Sequence, residues 1–583
     1  MAKGIGVSPG VAVGTAYCIH EIFVNRSTRR LAADEVRPEL TRYEKARDAA
    51  AADLRSLYTK VASQVGKSEA AIFQAHEAIL HDPAFNEKIR HWIVEQHQTA
   101  PYALDQVLQE YTSLFARTKD QYLRERLADV RDVIVRISGH LSEVLAPKAD
   151  GIAGPLILVA DELLPSHVVY LGSREVSGIA TQAGGQTSHA AILARSRGIP
   201  AVSGVRGLLK TVKNGDTIVV DGREGHIVVN PSAEVESAYR KLQREFFDLK
   251  DQLATNRQQP AVTADGVKIE LLANINNLSD ARAAAAMGAS GVGLYRTEYL
   301  FLTHPDVPSE DEQYEAYRKI IIAAPNHRVT IRTLDLGGDK TIPYLGHDRE
   351  ANPFMGWRSI RLSFEHPEFF ATQIRAVLRA AAGRKQKVRL MFPMITTLEE
   401  IRKVKSMVLK AKRQLTRQKK PCGDVPIGLM IEVPAAAICI DSLVNEVDFV
   451  SIGSNDLVQY LMAADRDNPR VSHLCQPLSP AVLKVLSHTI NSTIVAGRPC
   501  TLCGEMAGAP RAFVLLFGMG LRSFSMSPAF IPSIKELTHH LTRDRAEAIV
   551  GRALKLKTTA EVKRYLGEQI SEIAPNLKLL DTA

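Results

Sequence analysis

The chain has 583 residues, a formal net charge of +9 and a pI near 9.1, and 45% of its residues are hydrophobic. This length predicts about three or four domains with a sizeable core. The basic charge suits acidic ligands, but no Lys/Arg tract indicates a nucleic-acid partner. Six cysteines are too few for a disulfide framework. Since neither a signal-peptide core nor a membrane-spanning run occurs, we expect a cytoplasmic protein without membrane insertion.

The first part of the chain predicts an α/β domain that is interrupted by helices. The opening stretch GIGVSPGVAVGTAY reads as strands punctuated by glycine, and the short apolar runs LILVA and DTIVVDG come much later. Residues 31–145 instead show helical spacing and few glycines. We therefore expect residues 1–30 and 146–231 to form one α/β domain, with residues 31–145 as an inserted helical bundle.

The rest of the chain predicts a connecting helix and a barrel. Residues 232–259 carry apolar side chains three and four positions apart, which is typical of one amphipathic helix. From residue 260 to residue 583, short apolar runs such as VRLMFPM, IGLMIEVP and VDFVSIGSND recur between helical stretches, and each is closed by polar residues. Repeated strand–helix units of this kind predict a (β/α)8 barrel, whose chemistry lies at the carboxyl ends of the strands.

The residues at these predicted strand ends point to a phosphate-bearing ligand. The planar fork of arginine suits phosphate and carboxylate, and carboxylates such as Glu432 and Asp456 are ligands for Mg2+. Cys500 and Cys503 form a lone C-x-x-C, for which a buried thiol is favoured over a zinc or redox site. The strand-end residues are Arg296, Glu298, Arg332, Asp335, Arg358, Glu432, Asn455, Asp456, Arg466, Cys503 and Glu505.

Two distant motifs carry a family resemblance. VDFVSIGSNDLVQYLMAADRDN, residues 447–468, resembles the signature of the phosphoenolpyruvate-utilising enzymes, and GGQTSHAAILARSRGIP, residues 184–200, resembles their phosphohistidine motif. LYRTEYLFL, RTLDLGGDK and NPFMGWRSIRL are further matches. Nearly the whole chain, in this domain order, resembles the Enzyme I family of the sugar phosphotransferase system. The resemblance implies a swivelling phosphohistidine α/β domain with an inserted helical bundle, followed by a (β/α)8 barrel of the TIM type.

The resemblance implies that His189 takes the phosphoryl group of phosphoenolpyruvate, with release of pyruvate. His189 then passes this group to a histidine of the phosphocarrier protein HPr, in the first step of sugar uptake. The local sequence suits this role, because Thr187 or Ser188 can cap a helix that begins near His189. A helix N-terminus favours a phosphoryl group, and Gly184 and Gly185 allow the backbone to approach it closely.

The resemblance also assigns roles within the barrel. Arg296 and Arg332 would grip the phosphoryl group, Arg466 and Asn455 would complete its cradle, and Arg358 would contact the substrate. Glu432 and Asp456 would carry Mg2+ or Mn2+. Cys503 would protonate the enolate that remains once the phosphoryl group has left. The residues with implied roles are thus Arg296, Arg332, Arg358, Glu432, Asn455, Asp456, Arg466 and Cys503.

The resemblance further implies two protein partners. HPr would dock on the helical insertion, with Glu69, Asp82 and Arg126 as candidate contacts, and the barrel would form a homodimer. Gln186 is a departure, because relatives often carry arginine there, and the basic pI is unusual for the family.

Alternative functions within and outside the superfamily remain open. The chain could be the nitrogen-type paralogue, a phosphoenolpyruvate synthase or a pyruvate phosphate dikinase. We expect neither the large nucleotide-binding region nor the sensory domain that these relatives carry before the phosphohistidine motif, and the sequence has no P-loop. A catalytically silent regulator that binds carrier proteins would be expected to have lost His189, Cys503 or the arginines, all of which are present.

Overall fold

The structure is a computed structural model of the chain. It forms two compact units that divide between Asp248 and Leu249. None of the helices that the structure describes is long and apolar enough to cross a membrane. The structure describes residues 2–8, 10–19, 29–64, 73, 76–116, 121–141, 154–161, 176–183, 194, 199–302, 304, 306–337, 350, 352–384, 387–466, 468 and 470–575.

The first unit contains a mixed sheet of eight described strands. Its spatial order is β1-β8-β7-β3-β4-β5-β6-β2. The central pair β3 and β4 is parallel, and their residues are almost all buried, since apolar clusters cover both faces of the sheet. The strands are β1 Ala2–Lys3, β2 Ile5–Ser8, β3 Val11–Ile19, β4 Leu156–Ala160, β5 Val176–Thr181, β6 Ala201–Ser203, β7 Thr217–Asp221 and β8 His226–Val229.

A helical bundle lies in the chain between the paired strands β3 and β4. Its core contains Tyr43, Leu80, Phe85, Leu104 and Ile134, all nearly inaccessible to solvent. The described helices are α1 Val36–Gln64, α2 Pro83–Arg90, α3 Ala100–Ala116 and α4 Gln121–Leu141. The insertion is therefore visible in the sheet itself, because its two neighbouring strands are hydrogen-bonded to each other.

Two further helices begin among the described residues in the later part of this unit. The short α5, Leu208–Thr211, precedes β7. The long α6, Ala233–Thr255, begins after β8, and its Tyr239 and Leu242 pack against Val11 and Val219 of the sheet. The amphipathic helix predicted for this region is thus present, with its first half resting on the sheet.

The second unit is a closed barrel of eight parallel strands. Around the barrel, β9 to β16 follow one another in chain order, and β16 pairs with β9. Parallel strands buried on both faces read as continuous apolar runs, which is why the sequence predicts them well. The strands are β9 Glu270–Ile275, β10 Val292–Arg296, β11 Val329–Arg332, β12 Val388–Phe392, β13 Ile427–Ile431, β14 Phe449–Ile452, β15 Cys500–Leu502 and β16 Ser523–Met526.

Helices alternate with these strands, and several have a clear start signal at their N-terminus. Capping boxes at Ser309, Thr397 and Thr558 satisfy backbone N–H groups that would otherwise lack an acceptor. The helices are α7 Leu278–Ala286, α8 Glu298–Leu302, α9 Glu310–Ala323, α10 Ile360–Glu365, α11 Pro367–Ala380, α12 Leu398–Arg417, α13 Pro434–Ile438, α14 Ile440–Leu443, α15 Ser454–Met462, α16 Pro480–Val495, α17 Pro510–Gly518, α18 Ile531–His539, α19 Arg543–Ala553 and α20 Thr559–Ile573. The predicted (β/α)8 barrel is confirmed.

Candidate active site

The candidate site lies at the carboxyl ends of the barrel strands. Arg296 and Arg332 are the last residues of β10 and β11, while Glu432 and Cys503 directly follow β13 and β15. The first turn of α15, after β14, contributes Asp456. Because the strands are parallel and closed into a barrel, these residues meet at one mouth.

Arg332 is buried and held by two carboxylates. Its Nη2 donates to Glu298 Oε1 at 2.9 Å and lies 3.3 Å from Asp335 Oδ2. The same Glu298 oxygen accepts the Asp335 backbone N–H at 2.9 Å. Burial opposes the charge on Arg332, but Glu298 and Asp335 outweigh it and raise the pKa of the guanidinium. Arg332 Nε, in contrast, has no hydrogen-bond acceptor among the described residues, so one edge of the fork is left for a ligand.

Arg358 joins two parts of the site. It grips Asp335 with a bidentate pair, Nε to Oδ1 and Nη2 to Oδ2, both at 2.9 Å. Its Nη1 donates to Asp456 Oδ1 at 3.1 Å and to the Tyr460 hydroxyl at 3.2 Å. All three nitrogens of the guanidinium are therefore engaged. In this arrangement Arg358 positions the carboxylate of Asp456.

Glu432 carries a buried carboxylate oxygen that lacks a donor. Its Oε1 accepts the backbone N–H of Met394 at 2.6 Å, while its Oε2 is buried without a hydrogen-bond partner among the described residues. Burial, together with the nearby Asp456 and Asp335 carboxylates, raises the pKa of Glu432. Met394 has a φ of 55°, a strained value for a residue with a side chain. The backbone is thus bent so that its N–H meets Glu432.

The two cysteines of the C-x-x-C pair lie at opposite ends of β15. Cys503 is buried at the carboxyl end, where the Ser451 hydroxyl donates to its Sγ at 3.2 Å and the thiol donates to Ile452 O at 3.5 Å. Burial raises the pKa of Cys503 to about 11, so the thiol keeps its proton at neutral pH. Cys500 begins the strand at the amino end, and the chain therefore has no CxxC site with both sulfurs together. Both thiols are free.

Three of the predicted residues form a less buried rim. Arg466 lies with its Nη1 3.8 Å from Asp456 Oδ1, and this nitrogen has no hydrogen-bond acceptor among the described residues. Asn455 Oδ1 accepts the backbone N–H of Glu505 at 3.0 Å and so fixes the loop after Cys503. Arg296 is half-buried, and its charge acts on the Cys503 thiol. The rim thus supplies cations around the buried centre.

Family models match three successive parts of this chain. They are described as the PEP-utilising enzyme N-terminal domain at residues 3–126, the mobile domain at residues 152–225 and the PEP-binding domain at residues 250–543. The barrel and its carboxyl-end cluster fall within the last of these.

Relatives of full length are similar to the chain throughout. The phosphoenolpyruvate-protein phosphotransferase of Bacillus sp. (strain S) is 40% identical over 97% of this chain and 98% of its own length. The enzyme of that name from Geobacillus stearothermophilus gives the same identity and coverage. The one from Haemophilus influenzae is 37% identical over 99% of this chain and 100% of its own length.

The chain belongs to the phosphoenolpyruvate-protein phosphotransferase family. This confirms the predicted membership of the PEP-utilising enzymes and the predicted fold class, an α/β domain with an inserted helical bundle followed by a barrel.

The buried charges of this phosphotransferase suit a divalent cation. Two arginines and four carboxyl side chains of the cluster are buried, so the carboxyl groups outnumber the arginines by two: the residues are Arg332, Arg358, Glu298, Asp335, Glu432 and Asp456. Among the described residues, no three His, Cys, Asp or Glu side chains gather as a metal site by themselves. Mg2+ usually takes only one or two carboxylates and completes its shell with water and substrate phosphate. Glu432 Oε2, which lacks a donor, and the Asp456 carboxylate fit that donor set.

Several residues predicted for a phosphotransferase lie outside this description. His189, Gln186 and Glu69 are not among the described residues, nor is the side chain of Arg126. Asp82 is described: it is exposed and caps α2, where its Oδ1 accepts the Phe85 backbone N–H at 2.9 Å. Its side chain thus already has a structural role in the bundle.

The structure adds residues that the sequence reasoning did not assign. Tyr460 supports Arg358 and donates to Phe354 O at 2.5 Å, and Ser451 supports the Cys503 thiol. Tyr460 lies four residues after Asp456 on α15, a spacing that places both on one helix face and could have revealed it. The sequence placed Glu298 and Asp335 at strand ends, but it did not predict their ion pairs with Arg332 and Arg358.

Proposed function

We propose that the chain transfers the phosphoryl group of phosphoenolpyruvate to its own His189, releases pyruvate, and passes the group on to a histidine of an HPr-type phosphocarrier. The observation that carries this proposal is the buried cluster of arginines and carboxylates beside a protonated thiol at one mouth of the barrel. The family relatives, named phosphoenolpyruvate-protein phosphotransferases, support the same reaction.

The arginines of the cluster are arranged to receive phosphoryl oxygens. Arg332 Nε and Arg466 Nη1 are donors without hydrogen-bond acceptors among the described residues. Glu298 fixes the direction of the Arg332 side chain, and Arg466 Nη1 lies 3.8 Å from Asp456 Oδ1. Phosphoryl transfer depends mainly on positioning and on neutralising charge, so donors held in advance lower the barrier. Arg296, half-buried at the same mouth, would add a third cation to the phosphoryl group.

Glu432 and Asp456 would hold Mg2+, or Mn2+, together with the substrate. When bound, the cation would neutralise substrate charge and orient the phosphoryl group for in-line transfer. Arg358 keeps Asp456 in place from one side, and Met394 N–H keeps Glu432 in place from another. Asn455 and Arg466 complete the substrate contacts in this assignment, and direct contact of Arg358 with the substrate stays a prediction.

Cys503 would deliver the proton that converts the enolate into pyruvate. Loss of the phosphoryl group leaves electron density on the methylene carbon of the enolate. The thiol gives its proton to that carbon, a C–H bond forms, and the sulfur is left as a thiolate that solvent must reprotonate. The raised pKa of Cys503 fits an acid that holds its proton until a strong base appears.

Within this proposal the domains keep the ranges expected from the sequence. Residues 1–30 and 146–231 carry His189, residues 31–145 receive the carrier near Glu69, Asp82 and Arg126, and residues 232–259 link them to the barrel at 260–583, through which two chains would associate. His189 must come within about 3–3.5 Å of phosphorus for transfer and must later face the carrier, so its domain would swivel. A cytoplasmic location also stays a prediction.

Labelled phosphoenolpyruvate tests the proposal directly. With Mg2+ the unmodified protein should acquire an acid-labile label, and His189→Ala should acquire none while keeping its fold by circular dichroism. His226→Ala, in the same α/β domain, is the matched control and should label normally. Normal labelling of the His189 variant would reject the assignment of the nucleophile.

A further inference from the structure

A second pocket opens at the amino ends of the barrel strands, opposite the candidate active site. Its volume is about 480 Å3, within the range of roughly 300–1,000 Å3 that is typical of small-molecule sites. The charged side chains that line it are Lys268, Glu270, Arg328, Arg389 and Arg522. Four cations therefore share the pocket with one carboxylate.

The most unusual of these residues is Arg389 on β12. Successive side chains of a strand alternate, so Arg389 faces the same side as Met391, which belongs to a buried cluster with Phe449 and Cys503. Apolar side chains normally fill the interior of such a barrel. Arg389 instead places its guanidinium 5.3 Å from the centre of the Phe449 ring, and no described carboxylate pairs with it. Burial and the neighbouring Arg328 lower its pKa, so an anion beside it would be stabilising.

The one carboxylate in the pocket is already engaged. Glu270 Oε2 accepts from Arg328 Nη2 at 3.1 Å and from the Ser523 hydroxyl at 2.8 Å. Arg522 is held in place, since its Nη1 donates to the carbonyl oxygens of Phe517 and Leu521, both at 2.8 Å. Asp265 and Glu547 act on Arg522 from outside the pocket, and Arg543 opposes them. Glu270 thus balances Arg328 and also acts on Arg389, whereas no carboxylate among the described residues forms an ion pair with Arg389 or Lys268.

We propose that this pocket is a second ligand site, which binds a small polyanion that carries phosphate groups or several carboxylates. Arg389 would supply the planar fork that suits these groups. Lys268, which is exposed at the edge of the pocket, would add a second charge, and the pocket hydroxyls would accept or donate the remaining hydrogen bonds. The proposal does not depend on the reaction at the other end of the barrel.

Calorimetric titration with pyrophosphate tests this site. With Mg2+ present, the unmodified protein should show two classes of binding, one at each mouth. Arg389→Gln should lose one class, and Lys268→Gln should weaken the same class by about two- to fivefold, as expected for an exposed charge. Arg417→Gln removes an equal charge from the exposed end of α12 and should leave both classes unchanged. Labelling by phosphoenolpyruvate should persist in Lys268→Gln.

A conservative variant covers the case in which Arg389→Gln does not fold. Arg389→Lys keeps the charge but loses the fork, and should bind pyrophosphate about tenfold more weakly. Citrate in place of pyrophosphate shows whether carboxylates suffice: binding that is sensitive to Arg389 extends the ligand class, and its absence restricts the class to phosphates. If folded Arg389 and Lys268 variants bind both anions as Arg417→Gln does, the pocket is not a polyanion site.

Discussion

The two mouths of the barrel share one backbone design and differ in how their charges are balanced. At the carboxyl ends, the buried arginines are paired with carboxylates, which outnumber them. At the amino ends, the cations outnumber the single carboxylate Glu270. A site with excess negative charge can hold a divalent cation between itself and an anionic substrate, whereas a site with excess positive charge can take the anion directly. The same fold can therefore suit different ligands, and a few charged side chains at each end of the barrel determine which ligand each mouth can bind.

The largest expected effect distinguishes the arginines at the two ends of β11. Arg332 is the last residue of this strand and belongs to the cluster, whereas Arg328 directly precedes the strand and lies at the amino mouth. Arg332→Gln should lower the rate of labelling by phosphoenolpyruvate by about 10²–10³-fold, because it removes a donor held in advance for the phosphoryl group. Arg328→Gln should change that rate by less than about threefold, since it has no part in the charge stabilisation. Rapid-quench labelling measures both rates.

Stability must be followed in the same two variants. Arg332→Gln leaves the buried Glu298 without its arginine, while Asp335 keeps its pair with Arg358. Breaking a buried pair in this way costs about 3–5 kcal/mol. Labelling is therefore measured well below the melting temperature of each variant. Equal rates for folded Arg332 and Arg328 variants would remove the functional distinction between the two mouths.

The second-largest expected effect distinguishes Cys503, which directly follows β15, from Cys500, the first residue of that strand. Cys503→Ala should slow deuterium exchange into the methyl group of pyruvate by about 10²-fold, within the range for loss of a general acid or base. Cys500→Ala, at the amino end of the strand, should leave this exchange unchanged. Proton NMR of pyruvate in D2O measures the exchange, with the phosphorylated protein and Mg2+ present. Unchanged exchange in the Cys503 variant would assign the proton to another group.

The sequence could predict which residues meet at the carboxyl mouth, and the reason is geometric. Parallel strands bring their carboxyl ends together whatever lies between them, so Arg332, Glu432 and Cys503 converge although they are far apart in the chain. The hydrogen bonds and ion pairs between the residues of this mouth could not be predicted in the same way. The bidentate contact of Arg358 with Asp335 depends on the backbone conformation around Arg358. The neighbouring Ser359 has a φ of 61°, which could not be predicted from the sequence.

The pocket at the amino mouth was not predicted, because no recognisable sequence pattern marks its residues. Arg389 stands inside the run VRLMF, where one charged residue in an apolar strand reads as an outward-facing side chain. Only the closed sheet shows that Arg389 faces the same interior as Met391 and Phe449. Polar residues at the amino ends of such strands usually serve stability, so sequence reasoning gave them no role.

The third effect concerns Glu432 and pH. Burial and the nearby carboxylates raise the pKa of Glu432 from an ordinary value of 4.5 to about 8. Protonation therefore favours the folded state: this contribution is complete below the ordinary value and is lost as the pH rises through about 8. With chelator present, Glu432→Gln should be more stable than the unmodified protein at pH 8.5, and the two should be equally stable near pH 4.5.

Adding the metal should reverse this order. With Mg2+ and phosphoenolpyruvate at pH 8.5, the unmodified protein gains binding energy that the glutamine variant lacks, so its melting temperature should become the higher of the two. Thermal melts at both pH values, with and without Mg2+, measure these differences. A variant that is less stable than the unmodified protein in chelator at pH 8.5 would mean that the Glu432 charge is already compensated without a cation.

The smallest effect should come from Ser523 at the amino mouth. Its hydroxyl donates to Glu270 Oε2 at 2.8 Å and accepts from the Thr501 hydroxyl at 3.1 Å. Ser523→Ala removes both hydrogen bonds, but Glu270 keeps Arg328 and Thr501 lines the pocket, so unfolding in urea should show a loss of only about 0.5–1.5 kcal/mol. The labelling rate should stay the same, because no residue of the carboxyl mouth loses a contact. A large loss of labelling in a stable Ser523 variant would show that the amino mouth controls the reaction, and the two ends of the barrel could then no longer be treated as separate sites.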